Sequence, residues 1–160
     1  MTLQSLLSNF PLMSGLIAML FAQISKLFTH LLFNRKWKPA IVFSNGGMPS
    51  SHSAFVSSLT TAIGLEHGVE SSVFAIAVVF SLITMWDAAG IRYEASKHAR
   101  VLNVLVQDFQ SLVEQLKYKT KREHIPLKEL IGHRPLEVFV GSIVGILIGF
   151  VMEYWSNYIN

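Results

Sequence analysis

The sequence predicts an all-α polytopic membrane protein: a helix bundle of about four spans, with a re-entrant loop and a cytoplasmic amphipathic helix. Three observations carry this reading. The 160 residues are 51% hydrophobic and only 14% charged, whereas soluble domains carry about 25% charged residues. Mean hydropathy is +0.44. The apolar residues also fall in blocks, several of them long enough to cross a hydrocarbon core of ~30 Å. A single domain, residues 1–160, is expected at this length. The amphipathic helix and a charged linker, residues 93–128, lie within it.

Residues 11–33 form the first apolar block and carry Lys26 and His30. A basic loop with Arg35, Lys36 and Lys38 follows, then the turn-rich stretch Ser44-Asn45-Gly46-Gly47-Met48-Pro49. Ser50 or Ser51 reads as the cap of a helix running to about Leu65. Some fifteen residues reach roughly 22 Å at 1.5 Å per residue, too short to cross alone. The start of this helix is therefore expected below the membrane surface, reached by a re-entrant loop. Non-helical backbone is tolerated there only inside protein or beside water.

Residues 71–86 are the third block, ending in Asp87-Ala88-Ala89-Gly90-Ile91-Arg92. In the polar helical stretch beyond, Leu102, Leu105, Phe109, Leu112 and Leu116 step by three and four along one face. This stripe suits a packing or homodimer face, or a helix lying along the membrane. Residues 136–155 are the last block. In it Gly141, Gly145 and Gly149 recur every fourth residue, so another helix can approach closely.

The net charge of +3 and pI of about 9.3 do not indicate nucleic-acid binding, because the cations sit between apolar blocks rather than on a polar face. Twelve of the thirteen Lys and Arg residues lie in residues 34–52 and 87–134. The positive-inside rule then puts both basic loops in the cytoplasm and both termini outside. No basic residue precedes Lys26 and no small-x-small site ends the first block, so a cleaved signal peptide is not expected. The chain has no cysteine, which excludes disulfides and Cys-ligated metals.

Four polar clusters fall at one end of the spans in this topology: Lys26, residues 46–53, Asp87 with Arg92, and His133 with Glu137. Ionisable groups in or beside spans are costly and are functional candidates by default. Gly46 and Gly47 let backbone N–H groups approach an anion, and a helix starting at Ser50-Ser51 adds its positive end. His52, in that first turn, is placed to give a proton. Glu137, one turn beyond His133, can fix its tautomer and leave the other nitrogen nucleophilic. Arg92 offers a planar fork to phosphate, and Asp87 can orient Arg92 or Lys26. Each cluster also has a plainer local reading: a helix cap after a turn, a His–Glu pair one turn apart, an ion pair at a helix end, a snorkelling lysine.

At Pro49-Ser50-Ser51-His52 and His133-x-Pro135-x-Glu137-Val138-x-x-Gly141 the chain resembles the type 2 phosphatidic acid phosphatase superfamily. More closely, it is similar to the divergent small bacterial membrane branch of that superfamily. Ala22-Gln23-x-x-Lys26, the run 46–54, Asp87-Ala88-x-Gly90-Ile91-Arg92, Leu102-Asn103 and Lys128-Glu129-Leu130-x-Gly132-His133 extend the likeness along nearly the whole chain.

The resemblance implies a membrane phosphatase acting on a lipid or polyprenyl phosphate monoester through a phosphohistidine. His133 would be the nucleophile, His52 the acid and Glu137 the orienting carboxylate. Lys26, Gly46, Gly47, Ser50, Ser51 and Arg92 would hold phosphate, supported by Asp87, Asn103 and Arg134. No metal or cofactor is implied, and phosphate or vanadate would fit the site. The site would face the cytoplasm from the cytoplasmic membrane. The chain departs from the larger family in carrying Ser51 for glycine, Pro126-Leu127 for Ser-Arg, and Phe33 where an arginine follows the lysine. These departures motivate an alternative, a weakly active or inactive phospholipid-binding or transport protein with the same cradle. A membrane scaffold dimerising through the leucine stripe is a third.

Overall fold

A computed structural model describes residues 3–35, 46–115, 126–127 and 133–159. The basic loop of residues 36–45 and most of the charged linker lie outside these, as do Leu116, Gly132 and the side chain of Arg92. The described residues form six helices and no strand: α1 (Leu3–Leu7), α2 (Phe10–Asn34), α3 (Ser51–His67), α4 (Ser72–Ala89), α5 (Ile91–Gln115) and α6 (Pro135–Ile159). By length and composition, Phe10–Leu32, Ser72–Val113 and Pro135–Tyr158 can cross a membrane. α3 has 17 residues, about 26 Å at 1.5 Å each. The protein is an all-α membrane helix bundle.

Helix boundaries follow local chemistry. Asn9 caps α2 by accepting the N–H of Leu12 at 2.9 Å, and Pro11 occupies the first turn, where its missing N–H costs nothing. Ser50, rather than Ser51, caps α3. Ser71 caps α4, accepting from the N–H of Phe74 at 3.2 Å. α6 opens on Pro135.

α3 is the central helix, packed on α2, α4 and α6. A Cβ on Gly141, Gly145 or Gly149 would strike, in turn, Ser50, Ala54 and Thr61. Residue numbers rise together, so α3 and α6 run parallel. For Gly145 the obstacle is the backbone of Ala54, with Cα at 2.9 Å. The glycine stripe thus meets small residues on α3, the close approach that membrane helices use where no hydrophobic effect drives them together. α2 and α4 run the other way. Ser14 pairs with Ser58 at 2.8 Å, while Lys26 reaches Gly47. Phe74 faces Gly64, while Ser81 pairs with Thr60 at 2.7 Å.

The interior is made of small and hydroxyl side chains. Ala18, Ala22 and Ala54 form its apolar centre, with Ile148 against them. Large apolar side chains point outward, such as Leu32 and Trp86 at 76% and 78% exposure. That inversion suits a bundle whose solvent is lipid. Its consequence for function is simple: α3 and α6 begin, and α2 and α4 end, at the same end of the bundle.

Candidate functional site

The shared end holds the polar clusters. His133 lies just before α6 and is 3% exposed. Its backbone N–H donates to the carbonyl of Ala88 at 3.2 Å. That carbonyl lies in the last turn of α4, where helix geometry leaves acceptors unsatisfied. His133 is thereby fixed to α4 by its backbone and to α6 by its side chain.

Glu137 is the hub. Its Oε2 lies 3.0 Å from Nδ1 of His133. The same oxygen accepts the N–H of Gly47 at 3.2 Å and of Arg134 at 3.3 Å. The bond to Arg134 is the backward half of a capping box, in which a Glu at the third helical position satisfies an orphan donor. The backbone carbonyl of Glu137 takes the N–H of Ser50 at 2.9 Å. One residue therefore joins the start of α6, the start of α3 and the loop before it.

With Nδ1 held by the carboxylate, the second ring nitrogen of His133 is the chemically open one. Nε2 is buried and has no hydrogen-bond partner among the described residues. Buried polar atoms are almost always satisfied, so an exception at such a place calls for an explanation. His52 lies in the first turn of α3 and is exposed. Its ring centroid is 6.2 Å from that of His133, with the planes at 65°. The two imidazoles are within reach of one phosphoryl-sized group.

Lys26 is 1% exposed, the largest fully buried side chain described. Its Cδ lies 3.9 Å from where a Cβ on Gly47 would stand, and Glu137 is the carboxylate that acts on its charge. A lysine buried this deeply on a membrane helix is an expensive placement, and the alternative of a snorkelling lysine does not hold. Gly47 has φ +98°, a conformation side-chain-bearing residues avoid, and the Met48–Pro49 bond is cis. Thr29, one turn beyond Lys26, donates to the carbonyl of Met48.

The loop differs in detail from a free phosphate cradle. The N–H of Gly47 is turned to Glu137 and that of Ser50 to the Glu137 carbonyl. Ser50 Oγ accepts from the N–H of Ser53 at 3.4 Å and from its hydroxyl at 3.0 Å. Gly47 and Ser50 thus shape the loop. Ser51, 4% exposed, and Gly46, buried, sit beside them.

Of the remaining residues, Asp87 is part-buried in the last turn of α4 and Arg134 is exposed. Arg92 is the second residue of α5. Asn103 is buried on α5 and makes a two-bond fork with Leu127: its Nδ2 donates to the carbonyl at 2.9 Å and its Oδ1 accepts the N–H at 2.8 Å. Sequence reasoning did not single out Thr29 or Ala88. Thr29 was visible as the residue one turn from Lys26. Ala88 acts through its backbone, which no side-chain pattern reveals.

One end of a membrane helix bundle thus holds a carboxylate-held histidine, a second histidine across from it and a buried lysine. The comparison with known families is specific: residues 7–148 match the Divergent PAP2 family, and the chain belongs to it. It is 47% identical over 154 residues to the uncharacterized membrane protein YuiD of Bacillus subtilis (strain 168), covering 94% of this chain and 98% of that one. No solved structure matches.

Proposed function

We propose that the protein hydrolyses a lipid or polyprenyl phosphate monoester through a phosphohistidine at His133. The observation that carries this reading is the pair of states on one imidazole: Nδ1 on Glu137 and a buried, unpartnered Nε2. Such an arrangement supplies a nucleophile whose tautomer is set by its neighbour.

In the first step, Nε2 of His133 attacks phosphorus and the ester P–O bond breaks. His52 gives its proton to the departing alkoxide. In the second, water attacks the phosphohistidine, His52 takes a proton from that water, and inorganic phosphate leaves. Lys26 and Arg92, with the starts of α3 and α6, stabilise charge on the non-bridging oxygens, which is most of what phosphoryl transfer asks of a protein. No metal enters either step. The headgroup enters at the bundle end while the tail stays in the bilayer. By the positive-inside asymmetry this end faces the cytoplasm.

A second reading is a phospholipid-binding or transport protein that uses the same site without turnover. It is favoured by the engagement of the Gly47 and Ser50 N–H groups within the protein, which removes two donors from a cradle. One assay separates the two. Purified protein is offered a panel of lipid and polyprenyl phosphates, with and without vanadate, beside His52→Ala and His133→Ala. Hydrolysis that is vanadate-sensitive and lost in both variants supports the phosphatase. Lipid-phosphate binding with no release from any substrate supports the second reading.

A further inference from the structure

Among the described residues, α5 buries one side. Ala99 and Asn103 are its buried residues, at 6% and 4% exposure, and Asn103 holds Leu127. Among the described residues α5 packs on no helix except α4, which precedes it across Gly90. The apolar stripe points elsewhere. Ile91, Leu102, Leu105, Phe109 and Leu112 are 67%, 49%, 56%, 67% and 56% exposed. At 3.6 residues per turn they fall within an arc of about 80°, and Ala99 and Asn103 lie about 100 to 140° round from its centre. The face opposite the stripe carries Arg100, Gln107 and Ser111, all exposed. α5 therefore shows an apolar face and a polar face outward at once.

Continuity with α4 identifies what covers the apolar face. α4 is the first and most apolar part of the stretch Ser72–Val113 that by length and composition can cross a membrane, and its outward residues Ile76, Ile83 and Trp86 are 70%, 63% and 78% exposed. The stripe on α5 has exposures in the same range and starts five residues after Trp86. Tryptophan at the end of a span marks the headgroup level. Gly90, with ψ −86°, departs there from helical backbone near −42° and separates α4 from α5. A helix leaving that level with one apolar and one polar face meets the conditions for lying in the interface plane.

We infer that α5 is an interfacial helix, docked on the bilayer surface through Leu102, Leu105, Phe109 and Leu112. Arg100, Gln107 and Ser111 face water. The inference concerns anchoring and stands whether or not the site turns over phosphate.

The absence of native cysteine allows a direct test on the full chain. Leu105→Cys, Phe109→Cys, Gln107→Cys and Ser111→Cys are each labelled with a nitroxide and reconstituted in phosphatidylcholine–phosphatidylglycerol vesicles. Leu102→Cys and Leu112→Cys serve where a stripe variant fails to fold. The stripe labels should be several-fold more accessible to oxygen than to a nickel chelate, at a depth of about 5–10 Å. The labels at 107 and 111 should show the reverse. Nickel access at every position would overturn the inference. So would spin–spin broadening at 105 and 109 that disappears on dilution with unlabelled chain, because a second copy would then hold the stripe.

Discussion

Glu137 Oε2 lies 3.0 Å from Nδ1 of His133 and accepts the backbone N–H of Gly47 across 90 residues of sequence. The carboxylate that orients the imidazole is also the one that fastens the loop. Under the proposed mechanism, stability and chemistry meet in one side chain. Glu137→Gln should lower stability by about 1.5–3 kcal/mol, the range for hydrogen bonds to charged groups. Phosphate release should fall by at least about a hundredfold, as when a triad carboxylate is neutralised. Glu137→Asp should restore part of the rate but less of the stability, since the shorter side chain must still reach Gly47. Thermal unfolding in detergent and initial rates check both.

Lys26 sits beside Gly47, and Glu137 is the carboxylate that acts on its charge. Lys26→Met should leave a folded bundle and weaken vanadate binding by about 2 kcal/mol or more, roughly thirtyfold, the loss usual when one member of a buried charged pair is truncated. Lys26→Arg should not rescue it, because a planar fork does not occupy the path of a linear ammonium. Equilibrium binding of vanadate measures each.

The parallel packing of α3 and α6 places His52 and His133 at one end, and Gly145 has no room for a side chain beside Ala54. Gly145→Val should cost about 1–3 kcal/mol by overpacking and reduce phosphate release by separating the two histidines. Ile146→Val, one residue on and 42% exposed, should change stability by less than about 0.5 kcal/mol. Paired melting curves check the contrast.

Much of this was legible in sequence. The three long apolar blocks, the short helix after Pro49 and the amphipathic stripe are local patterns, and the helices follow them to within a few residues. The four-residue spacing of Gly141, Gly145 and Gly149 announced a close helix contact but not its partner. That depends on matching small residues at 50, 54 and 61, which no single periodicity links to α6. The His133–Glu137 pair was legible because it is one helical turn long. The bonds from Glu137 to Gly47 and from Ala88 to His133 were not, because they run between backbone and distant residues. They turn part of the expected phosphate cradle into scaffold. The burial of Lys26 was equally hidden: its place in an apolar block allowed snorkelling or burial, and the tertiary packing decides between them.

Asn103 illustrates the same limit. The family resemblance suggested a supporting role for it, and the structure gives it a defined contact, the fork on Leu127. Asn103→Ala should cost about 0.5–1.5 kcal/mol by removing the two-bond fork on Leu127. Trypsin should also cut faster at Lys128, next to Leu127. Timed digestion of wild type and variant in detergent tests this.

In the proposed reaction Nε2 of His133 forms a bond to phosphorus. The most direct measurement is a rapid quench of full-length protein with radiolabelled lipid phosphate, followed by digestion. An alkali-stable, acid-labile label is expected on the peptide containing His133, absent from His133→Ala and prolonged when water attack is slowed in His52→Ala. Label on another residue, or phosphate release that persists in His133→Ala, would contradict it.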